Sequence, residues 1–165
     1  MQLLGRDELT DKQWSVLCTA PQLVLLAVSA SGGSRLDAVL ERSAGMRAIE
    51  NGRNNDHPLI RAIAAPEAIK AAQESVASTA YGAAGALRDA KDLLALATSS
   101  VQAAAGVLRQ SGDQLDLYAY REFVVGIARA VAEAAREGDF IGIGGRLVSD
   151  GERAVIAAVV QALTD

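Results

Sequence analysis

The sequence predicts an all-α protein, a single domain over residues 1–165 built as a bundle of seven or eight helices, and three observations carry that reading. Alanine makes up 33 of 165 residues against only six aromatics. It is the strongest helix former and a poor strand former, because it has no side-chain entropy to lose and little to pack on a pleated face. Apolar residues recur every third or fourth position in each long segment, the period of a helix face. Capping signatures stand near both ends of the chain, at Thr10/Gln13 and Ser149/Glu152.

Taken in order, Thr10 and Gln13 form a capping box in which each side chain satisfies a backbone N–H of the other residue, with Leu9 and Trp14 at the positions of a hydrophobic staple. Pro21 marks a break, giving two helices at about 11–19 and 21–30, because a first-turn proline sacrifices no hydrogen bond. Ser31 to Ser34 is a turn. Residues 35–50 read as a helix with Leu36, Val39, Leu40 and Met46 inward, weakened by Gly45. Asn51 to Asp56 is the most polar, turn-rich stretch, after which His57-Pro58 opens a short helix and Pro66 another.

From Pro66 to Arg109 one narrow stripe runs through Ile69, Ala72, Val76, Ala80, Leu87, Leu94, Val101 and Leu108. A single helix of that length would reach about 66 Å at ~1.5 Å per residue, too long for a compact domain. Two helices folded as a hairpin suit the size, with breaks expected at Gly82, Gly85 or Thr98-Ser99-Ser100. Residues 114–137 place Tyr120, Phe123, Val124, Ile127 and Val131 on one face and Glu122, Arg129, Glu133 and Arg136 on the other. Gly138 closes that helix, a short Gly-rich loop follows, and Ser149 opens the last helix with Val155, Ile156, Val159, Val160 and Leu163 inward.

Charge narrows the function classes. Sixteen basic and 20 acidic residues give a net −4, without the basic excess that binding to nucleic acid requires. The uncharged run from Gln13 to Ser34 is interrupted by Pro21, and its dense apolar part, Leu23 to Val28, falls short of the ~20 residues of a membrane span. Cys18 has no second cysteine to pair with, which suggests a buried, inert thiol in a reducing cytoplasm. Thirteen arginines against three lysines, with abundant Ala and Gly, suggest a GC-rich bacterial genome.

No motif supplies chemistry outright. One Cys and one His do not make a zinc site, and no D-x-[DN]-x-[DN]-G loop is present. The only histidine, His57, reads as an exposed turn or capping residue. No cofactor or metal is expected. The sharpest oddity is the loop before the last helix, where Gly144, Gly145 and Arg146 are the candidate anion-binding residues, since glycine backbone N–H groups and a guanidinium can hold a small anion. The competing reading is a packing segment, with Phe140, Ile141, Ile143, Leu147 and Val148 covering the end of the bundle.

Two segments resemble the helix–turn–helix units of the TerB-like, tellurite-resistance family. These are Val24 to Ala30 with its Ser-Gly-Gly turn, and Ile127 to Glu133 through the loop to Ser149-Asp150-Gly151-Glu152-Arg153 and the last helix. The resemblance implies an all-α fold, and in that family the turns carry acidic residues suited to divalent metal. Ser29 to Gly33 has no carboxylate there, so the fold is carried over and the metal is not. The start, Trp14, Leu17, Ala20 and Pro21, is also similar to uncharacterised bacterial helical proteins. The functional expectation is a non-enzymatic, possibly stress-linked interaction or accessory protein of the bacterial cytoplasm that forms a homodimer. The alternative is a small-molecule or anion binder using the Gly-rich loop.

Overall fold

The structure, a computed structural model, describes residues 4–33, 35–111, 113–137 and 148–165. These form seven α-helices: α1 (Asp11–Ala30), α2 (Arg35–Asn51), α3 (Pro58–Ile63), α4 (Pro66–Ala80), α5 (Ala90–Ser111), α6 (Gln114–Glu137) and α7 (Asp150–Thr164). Both capping boxes form as the sequence implies. The Gln13 N–H donates to Thr10 Oγ1 at 3.2 Å while Gln13 Oε1 accepts from the Thr10 N–H at 2.9 Å. Ser149 and Glu152 repeat the pattern at 3.2 and 2.8 Å. Trp14 packs against the core with the Arg6 guanidinium 5.4 Å from its ring centre, within the ~6 Å reach of a cation–π contact.

The helices are arranged around α1, which packs against α5 most extensively and also against α2, α4, α6 and α7. Its length and apolar composition would suit a membrane span, yet two-thirds of that stretch is covered by its neighbours. Lacking charge from Gln13 onward, it can be surrounded on nearly every side without stranding an ion in a dry interior. Leu17, Ala20, Val24, Ala27 and Val28 are fully inaccessible.

The two helices expected at Pro21 are a single helix, with Pro21 inside it. A proline at that position cannot donate to the carbonyl four residues earlier, that of Leu17. The hydroxyl of Tyr120, a fully buried residue of α6, donates to the Leu17 carbonyl at 3.0 Å. The orphaned acceptor is therefore satisfied from a distant helix, and α1 continues. Burial holds the Tyr120 hydroxyl well above its ordinary pKa, so it remains a donor.

The stripe breaks between α4 and α5 at residues 81–89, and the two helices pack against α1 rather than closely on each other as the expected hairpin would. Gly85 adopts φ +71° there, and the Gly85 N–H reaches the Gly82 carbonyl at 2.9 Å. Thr98-Ser99-Ser100 does not break α5. Thr98 donates to the Leu94 carbonyl and Ser99 to the Leu96 carbonyl, so their hydroxyls are absorbed within the helix. The buried stripe holds on α4 through Ile69, Ala72, Val76 and Ala80, and resumes on α5 with Leu93 rather than Leu94.

The inward face expected for α2 is incorrect at three of its four residues, Met46 alone packing against the core. Leu36, Val39 and Leu40 are 72%, 64% and 40% exposed, while Glu41, Gly45 and Ile49 are buried. Gly45 supplies the reason. A Cβ there would stand 2.6 Å from the Leu25 side chain on α1 and 2.7 Å from that of Val131 on α6. Only a residue without a side chain lets the α2 backbone seat this deeply, and seating it fixes the rotation of the whole helix. Residues 41, 45 and 49 lie on one face by the 3.6-residue period, and 36, 39 and 40 fall on the other side.

The tyrosine contact is open to a direct test. Tyr120→Phe strips the Leu17 carbonyl of its partner and is expected to cost about 1–3 kcal/mol in urea unfolding. In a Pro21→Ala background the restored N–H can bond the same carbonyl, so the cost of Tyr120→Phe should shrink by at least about 0.5 kcal/mol. Equal costs in both backgrounds would disprove this account of the proline.

Candidate functional site

Helix α2 is where the polar and apolar faces contradict the ordinary rule, and the candidate site is built on it. Its exposed leucines and valine continue into a groove between α2 and α6 of about 500 Å3. Leu40, Ala44 and Ala48 form the α2 wall, and Ala130 and Ala134 the α6 wall. Exposed Arg47 and Glu133 also line it, bringing one charge of each sign. Alanine walls leave the groove shallow enough for another helix to approach closely.

On the opposite face, Glu41 is fully buried, and neither of its carboxylate oxygens has a hydrogen-bond partner. It lies where the α1–α2 turn meets the start of α7. A Cβ at Gly32 would stand 2.9 Å from Glu41 Oε1 and 2.8 Å from Glu152 Oε1, so the two carboxylates crowd the same spot. Glu152 is itself buried and uses Oε2 in its capping box. The α1–α2 turn and the start of α7 thus come together: Gly32 abuts Glu152, and a Cβ at Gly151 would stand 2.7 Å from the Ser31 carbonyl.

Glu41 is pushed from an ordinary 4.5 up to about 7. Burial is the main cause and the neighbouring Glu152 charge the next, with Asp37 adding to it. The Ser29 hydroxyl, which donates to the Ala38 carbonyl at 3.4 Å, and the Arg42 charge pull the other way. A proton on Glu41 removes the repulsion that two buried carboxylates would otherwise suffer.

His57 is not the exposed residue that its polar turn implies. Its side chain is 13% exposed, with Nε2 3.4 Å from Oδ1 of buried Asp116. Asp116 accepts the Leu4 N–H on both oxygens at 3.3 Å. Burial raises its carboxyl above the ordinary range, while the Leu4 N–H and His57 oppose the shift. Neither ring nitrogen of His57 has a hydrogen-bond partner among the described residues, and so no hydroxyl or thiol is activated by it. The arrangement is a clasp that ties the N-terminal segment to α6. Cys18 is buried and its thiol is pushed up to about 12, chiefly by burial and with partial opposition from Arg6, which suits an inert thiol.

Gly144, Gly145 and Arg146, and with them the expected anion loop, lie outside the described residues, as do Phe140, Ile141, Ile143 and Leu147. No group of three or more His, Cys, Asp or Glu side chains suited to a metal occurs among the described residues. What the sequence reading missed was the α2 face, and Gly45 is the signal that could have revealed it.

The Glu41 proton has a measurable consequence. The unfolded chain releases it near 4.5 and the native chain near 7, so the native state holds more protons between those values. The stability it supports is fully present below about pH 4.5 and is lost as pH rises through about 7. Converted at ~1.4 kcal/mol per pH unit, the loss is about 3–4 kcal/mol. Glu41→Gln, which is neutral at every pH, is expected to gain on the wild type by that amount between pH 4.5 and 8. Parallel stability curves from urea titrations would exclude the protonated-pair reading.

No protein-family model, curated protein or solved structure matches this chain.

Proposed function

We propose that this protein is a non-enzymatic interaction protein that works as a homodimer, joined through the exposed face of α2 and the groove beside it. The observation that supports this best is the exposure of Leu36, Val39 and Leu40 on consecutive turns of one helix. Full burial of each such side chain is worth roughly 1.5–3 kcal/mol. Three of the five exposed large apolar side chains among the described residues cluster here, and a partner surface would cover them.

A second copy is the occupant best suited to this face. A two-fold interface sets the same patch against itself and must be self-complementary. The groove meets that condition: Arg47 of one copy can face Glu133 of the other, and the alanine walls let the α2 helices approach. The setting we propose is the bacterial cytoplasm, in an accessory, stress-linked role of the kind the TerB-like resemblance suggests. The lone Cys18 and the Arg-rich, Ala-rich composition support that setting.

Light scattering at tens of micromolar is expected to give about twice the chain mass of 17.1 kDa. Val39→Glu places a charge in the middle of the patch and should yield a monomer. Because Val39 is 64% exposed, stability and helix content should be nearly unchanged, within roughly 0.5 kcal/mol. A wild type that scatters as a monomer, or a dimer that survives Val39→Glu, would overturn the interface.

A further inference from the structure

A second feature of α2 lies beside the proposed dimer surface, since Arg42 and Met46 stand three and seven residues on from Val39. Between α1, α2 and α4 lies a half-open cavity of about 260 Å3. Its lining is mainly apolar, with Leu25 and Leu26 from α1, Met46 from α2 and Val76 from α4. Arg42 also lines it, and the Arg42 Nε is buried without a hydrogen-bond partner. Among the described residues Arg42 makes no ion pair; the three salt bridges there join other residues. The adjacent Glu41 cannot serve, since neighbouring residues on a helix point about 100° apart and its carboxylate is buried on another face.

An arginine is always charged, and its planar donors match a carboxylate. Arg42 is half-buried on the cavity and carries a charge with no described ion-pair partner, which a bound anion would supply. The remaining wall offers burial to hydrocarbon. We infer that the cavity between α1, α2 and α4 is a binding site for a small carboxylic acid with an apolar body, its carboxylate held by Arg42 and its hydrocarbon by Leu25, Leu26, Met46 and Val76. The volume lies just below the ~300–1,000 Å3 typical of drug-sized ligands, which selects a short alkyl chain or a single ring. Tyr81 and Gln73 also line the cavity and supply further polar groups.

The chain has two methionines, Met1 and Met46, so methyl-labelled methionine gives a nuclear magnetic resonance signal inside the cavity. Titration with octanoate is expected to shift the Met46 methyl saturably, with 1-octanol binding at least tenfold more weakly. Arg42→Gln should weaken octanoate at least tenfold, change octanol binding far less, and keep the native helix content. Ala77→Trp fills the cavity from its exposed rim and should remove both responses. The inference is overturned if the Met46 methyl shows no saturable shift up to several millimolar, if octanol and octanoate bind alike, if Arg42→Gln binds octanoate as the wild type does, or if Ala77→Trp still binds it. Failure of the dimer would not move these signals, because the cavity is complete within one chain.

Discussion

The bundle depends on keeping α1 continuous through Pro21. This helix touches five others, so a kink at its midpoint would misalign all of them together. Proline removes one donor and leaves the Leu17 carbonyl without a partner in a dry core. The Tyr120 hydroxyl fills that vacancy from 103 residues away in the chain, and in doing so locks α6 against α1 at a fixed height. A phenylalanine would pack equally well but would leave the carbonyl bare. One polar atom therefore couples the continuity of the central helix to the docking of another.

The second constraint is steric and acts through Gly45. Helix α2 has Leu36, Val39 and Leu40 on one side and Gly45 with Ile49 on the other, and the glycine side faces the core. Close backbone approach to Leu25 and Val131 gains dispersion contacts along the helix, which here outweigh the burial of Leu36, Val39 and Leu40. Seating Gly45 also drags Glu41 inside, since the two are one turn apart. The buried acid and the exposed apolar patch are thus two results of a single fit.

Much of this was legible in the sequence. Both capping boxes, the break between α4 and α5 and the Tyr120 to Val131 face of α6 follow from local rules of hydrogen bonding and periodicity, and each appears as read. What escaped depends on partners distant in the chain. Pro21 reads as a break unless Tyr120 is known to reach Leu17. His57 reads as exposed because nothing in its own turn announces Asp116, 59 positions further on. The α2 face was assigned by hydrophobicity, which fails when a glycine, contributing almost nothing to a hydrophobic pattern, decides the orientation. The Gly144–Arg146 site falls outside the described residues, and the candidate surfaces found instead all involve α2.

Glu41 and Arg42 show why that helix is an apt place for function. They are neighbours of opposite charge, and in water they would neutralise each other at little cost. On a seated helix they diverge by about 100°, so one enters the crowd around Gly32 and the other the wall of the α1–α2–α4 cavity. Each is left to find its counterpart separately. For Glu41 the nearest external charge is another carboxylate, and a proton is the counterpart that fits. For Arg42 no described carboxylate lies within ion-pair distance. A chain shaped by stability alone would be expected to place leucine or alanine at both positions, as it does over most of its buried surface. Local departures of this kind concentrate where a protein does something besides fold, and here two occur at adjacent positions on the helix that also leaves its apolar side uncovered.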